Sequence, residues 1–78
     1  MSKQQLQEIA QCGRPWAAER AQYALEIMGA VHEGAVSMSE FQELMQDLVR
    51  TDRLDAEADD MELKAMLVSA IYVVGQLA

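Results

Sequence analysis

The stretch HEGAVSMSEFQELMQDLVR, residues 32–50, decides the fold class. Ser37 and Glu40 have capping-box spacing. The hydroxyl accepts from a free backbone N–H at a helix start, and the carboxylate reaches back to the N–H of the cap residue. Phe41, Leu44, Met45, Leu48 and Val49 then fall at i, i+3, i+4, i+7 and i+8, one face of a 3.6-residue helix. Arg50 and Arg53 lie near its C-terminal end, where positive charge complements the helix dipole. A helix starting at Ser37 or Met38 is the chain's cleanest amphipathic pattern.

Working outward, Pro15 to about Val31 reads as a second long helix. Ala17, Ala21, Ala24, Met28 and Val31 recur at three- and four-residue spacing, with Trp16, Tyr23 and Ile27 on an adjoining strip. Gly13 suits the C-cap of a short leading helix over residues 2–11, and Pro15 suits the first turn that follows. Leu6, Ile9 and Ala10 give that leading helix a thin apolar stripe, and its free end predicts fraying. Residues 51–55 read as the last connection, with Asp52 or Asp55 capping a final helix. Glu57, Asp59, Asp60 and Glu62 crowd the first turns of that helix, where the dipole is positive. From Leu63 onward it is apolar on nearly every side. The expected fold is all-α: a small antiparallel bundle of three main helices plus a short N-terminal one, forming a single domain over residues 1–78.

The chain of 78 residues is 51% apolar and contains one proline and four glycines, so it is a helix-rich globular chain. Its net charge of −7 is placed unevenly: residues 1–31 hold three acids and three bases, residues 32–78 ten acids and three bases. The basic stripe expected of a nucleic-acid binder is missing, so direct DNA or RNA binding is not expected. Cys12 stands alone, which precludes an internal disulfide or a cysteine-held zinc. Residues 1–11 lack the apolar run of a secretion signal, and no segment is long enough to span a bilayer. A cytoplasmic setting is expected, with no membrane partner.

Gly34 and Glu40 also have the spacing of the sixth and twelfth positions of a calcium-binding loop. Residues 34–41 thus resemble a degenerate EF-hand half. That register places Gly29, Val31 and Glu33 at the first, third and fifth positions, where calcium needs oxygen side chains. Only Glu33 and Glu40 supply one, so no calcium is expected. The same glycine, Val-Ser and Glu-Phe pattern resembles the SHOCT-type helical module, which implies oligomerisation. In size, acidity and lack of catalytic groups the chain is similar to the small accessory proteins of tailed bacteriophages. That similarity implies modulation of a host or viral protein, or help in assembly.

No arrangement in the sequence carries catalysis. His32 stands alone in a predicted turn, and a nucleophile such as Cys12 needs a positioned base and an orienting group. No catalytic, metal or cofactor-binding residue is assigned, and no small-molecule substrate is expected. Glu40, Glu43 and Asp47 form a carboxylate stripe opposite the Phe41–Leu48 face and read as a solvated surface. Such a face can also copy the charge of DNA, and the alternative functions are an acidic DNA-mimic inhibitor of a nucleic-acid-binding protein or a degenerate EF-hand-like protein without calcium binding.

Among the methionines, Met28, Met45 and Met66 read as core filling. Three short partner helices cannot cover every side of the last helix, so apolar surface should stay open there. Trp16, Met66, Ile71, Tyr72, Val74 and Leu77 are the candidate interface residues. The expected function is a non-catalytic, homodimeric interaction module that binds another protein of basic character.

Overall fold

The computed structural model describes residues 2–50 and 52–77, with the side chains of residues 2, 50, 52, 53, 55, 76 and 77 outside the description. Five helices carry these residues: α1 (Ser2–Ala10), α2 (Pro15–His32), α3 (Met38–Arg50), α4 (Asp52–Glu57) and α5 (Met61–Leu77). No strand occurs among the described residues.

Local chemistry sets the helix ends. Gly13, between α1 and α2, has φ +81°, which only glycine adopts without strain. Pro15 then opens α2, where its missing N–H is not needed. At the far end of α2, Gly34 has φ +80°. Its N–H bonds Val31 O at 3.0 Å, and the N–H of Ala35 bonds Ala30 O at 2.9 Å. That pair of bonds is the Schellman closure of a helix. Three residues on, Ser37 starts α3, its Oγ accepting from the Glu40 N–H at 3.2 Å. The Glu40 carboxylate takes the Ser37 hydroxyl at 3.2 Å, where a reciprocal capping box has it take the Ser37 backbone N–H.

The core lies where α1, α2, α3 and α5 meet. Leu6 and Ile9 of α1 are fully or almost fully buried, so the leading helix is a member of the core despite its thin stripe. Ala17, Ala21 and Ala24 are completely buried on α2, and their small side chains let the neighbouring helices approach closely. Phe41 and Met45 enter from α3, and Leu67, Ala70, Ile71 and Val74 from α5. Every buried residue among those described is apolar. The radius of gyration, 11.7 Å, matches the value of about 11.5 Å for a compact chain of this length.

Four expectations need correction. Tyr23 is 44% exposed, because the alanine run centres the buried stripe and leaves it on the outer edge of α2. Met66 is 47% exposed and fills no core gap, lying at the solvent edge of the α5 face that buries Ala70. The region expected as a plain connection contains α4, whose Leu54 is completely buried and anchors it. The last helix starts only at Met61, and its cap is Asp60, not Asp52 or Asp55. The Asp60 Oδ1 accepts from the Leu63 N–H at 3.1 Å. Capping by that carboxylate separates α4 from α5, since an aspartate that binds backbone N–H groups ahead of it competes with helix continuation.

Candidate interaction surface

Helix α5 has two apolar faces, and the fold covers one of them. Leu67, Ala70, Ile71 and Val74 point into the core. Met66, Tyr72 (62% exposed) and Val73 (37%) stay open to solvent. Ala65 and Ser69 are exposed between them, one helical turn apart. The last charged side chain of α5 is Lys64, so nothing from Ala65 to the end of the helix carries a formal charge.

Beside this face runs a groove of about 230 Å3 between α3 and α5. Gln42, Gln46 and Val49 form one wall, Tyr72 and Gly75 the other, and Met45 and Ile71 also line it. Gly75 faces Met45 across it, and a Cβ there would stand 3.7 Å from the Met45 Cβ, an ordinary van der Waals contact. The lining residues carry amides, a phenol, a thioether and hydrocarbon, but no carboxylate and no cationic group. Its volume lies below the usual range of ligand pockets, about 300–1,000 Å3.

The polar interactions lie elsewhere. Asp59, between α4 and α5, accepts from Arg14 Nη1 at 2.8 Å and from the Trp16 indole N–H at 3.0 Å. Arg20 pairs with Glu57 at 3.1 Å and donates to the Trp16 carbonyl at 2.8 Å. The acidic connection is thus clamped to the start of α2 by two arginines of the charge-balanced N-terminal segment. The exposed Arg14–Asp59 pair contributes about 1 kcal/mol or less.

The other sequence candidates do not converge. Cys12 and His32 flank opposite ends of α2, whose 18 residues span about 27 Å, so they form no pair. Both are exposed. Glu40, Glu43 and Asp47 are all exposed on α3. No cluster of three or more His, Cys, Asp or Glu able to hold a metal occurs among the described residues. No helix among them is long and apolar enough to cross a membrane. Gly34, which suggested a calcium turn, closes α2.

Of the candidate interface residues, Met66 and Tyr72 lie on the open face of α5. Ile71 and Val74 are buried on its inner face, within the chain's own core. Trp16 is also buried, and its N–H is taken by Asp59. The Leu77 side chain lies outside the described residues. The sequence reading missed Val73 on the open face and the groove wall of Gln42, Gln46 and Val49. Glutamine at i and i+4, one step around α3 from Met45, was the available signal. No protein-family model, curated protein or solved structure matches the chain.

Proposed function

We propose that the protein is a non-catalytic helical interaction module that associates through the open face of α5. One observation carries this reading: Met66, Tyr72 and Val73 stay exposed on a helix with no charge beyond Lys64. Burying their remaining apolar surface yields about 25 cal/mol per Å2, a driving force for association. The reading includes an antiparallel bundle of the three long helices and self-association into a homodimer. It leaves the carboxylates of α3 facing solvent, available to a second protein of basic character.

The test is light scattering coupled to size-exclusion chromatography, on the wild type and on the double variant Met66→Glu/Tyr72→Glu. The expected result is a two-chain mass for the wild type and a one-chain mass for the variant, with unchanged helical circular dichroism. A wild type that stays monomeric at high micromolar concentration removes the homodimer.

A further inference from the structure

We infer that the groove between α3 and α5 seats an apolar side chain of a basic, amphipathic helix from another protein. The inference rests on the reading of the chain as a module that binds a basic protein, and adds the seat and the form of that partner.

Spacing selects a helix. On α3 the groove is lined by Gln42, Met45, Gln46 and Val49, which fall at i, i+3, i+4 and i+7. Four residues at that spacing make the hole that receives one side chain of a facing helix. On α5 the lining residues Ile71, Tyr72 and Gly75 hold three places of a second such set, and half-buried Val68 completes it. Opposite Met45 this chain presents Gly75, which has no side chain to enter the hole. About 230 Å3 is therefore left open, too little for a drug-sized ligand but room for one large apolar side chain. Grooves of this kind take the apolar face of an amphipathic helix.

Charge selects the sign of the partner. Residues 32–78 make both walls, and they hold ten acids and three bases. Glu43 follows Gln42, stands one turn from Gln46 and is exposed on the rim, with exposed Asp47 behind it. Lys64, two turns before Ile71 on α5, is half-buried and already engaged. A helix with lysine or arginine beside its apolar residue meets opposite charge at this rim, and an acidic helix meets like charge.

The probe is a fluorescent peptide of two heptads, with leucine at the first and fourth positions and lysine elsewhere. It is titrated into the full chain and followed by anisotropy and by amide magnetic-resonance shifts. Saturable binding is expected, with the largest shifts over residues 42–49 and 71–75. A glutamate peptide of the same pattern, and a lysine peptide with alanine for leucine, should each bind at least about tenfold more weakly. Gly75→Leu fills the hole and Glu43→Lys reverses the rim, and each should weaken binding about tenfold with unchanged helical circular dichroism. Glu8→Lys makes the same change of net charge on α1, outside the groove, and should alter binding less than about twofold. If Gly75→Leu does not fold, the shift map and the two charge variants decide. Equal losses from Glu8→Lys and Glu43→Lys, shifts confined to Glu40, Glu43 and Asp47, equal binding of the glutamate peptide, or no binding each overturn the seat. Light scattering on the wild type separates the two levels. A monomer that binds the peptide removes the homodimer alone, whereas a dimer whose groove residues do not respond removes this seat alone.

Discussion

Helices α3 and α5 pack on each other, yet their sequences divide polar from apolar in opposite ways. On α3 the division is sharp: Phe41 and Met45 are buried while Gln42, Glu43, Gln46 and Asp47 are exposed. On α5 it is absent beyond Lys64, and Ile71 at 1% exposure stands next to Tyr72 at 62%. A helix whose solvent face is polar is finished by its own chain. One whose solvent face is apolar carries surface that its own chain leaves uncovered.

The comparison breaks most visibly in the core. Phe41→Ala should cost about 3–5 kcal/mol, and Ile71→Ala about 2–5 kcal/mol. Either loss rivals the whole stability of so small a domain. Urea denaturation followed by circular dichroism should show the cooperative transition shifted far to low denaturant or lost. If Ile71→Ala behaves like a surface change, the division of α5 into inner and outer faces is wrong.

The next effects concern how the helices begin. Gly34→Ala forces a side chain into the left-handed region at the junction leading to α3. It should cost about 1–2 kcal/mol, read as a lowered urea midpoint with unchanged slope. Ser37→Ala and Asp60→Ala each remove a helix cap and should cost about 1 kcal/mol. Equal losses would show that the two helices, so different in pattern, are started by the same means.

The smallest effects sharpen the contrast within α5. Gly75→Ala should raise stability by about 0.5–1 kcal/mol, since alanine suits a helix better and its Cβ meets Met45 at an ordinary distance. Tyr72→Gln, measured in thermal melts at low micromolar concentration, should stay within about 0.5 kcal/mol of wild type. A large loss there would mean that Tyr72 belongs to the core, despite its exposure.

Much of the fold was legible because local rules govern it. Ser37, Gly34 and the Phe41–Val49 spacing mark α3 and its start. Pro15 and the alanines mark α2. The rest was hidden for physical reasons. Leu54 is a lone apolar residue among acids, too isolated to show a period, yet it is fully buried. Asp60 is one of six acids between positions 52 and 62, any of which suits a helix start by charge. Only packing decides which of them caps. The Arg14–Asp59 bond joins positions 45 residues apart, and no spacing rule reaches that far. On α5 the sequence told that apolar surface would be left over. Because every side of the helix was apolar, it could not tell Met66 and Tyr72 from Ile71 and Val74.

Trp16 is the only tryptophan in the chain, and its indole N–H is engaged by a carboxylate on the connection between α4 and α5. The molecule therefore contains its own optical gauge, fixed at a single joint. Indole emission follows whether residues 57–60 rest on the start of α2, while the far-ultraviolet signal follows total helix. Opening of this joint ahead of general unfolding would appear as a red shift at constant helicity, with no label introduced.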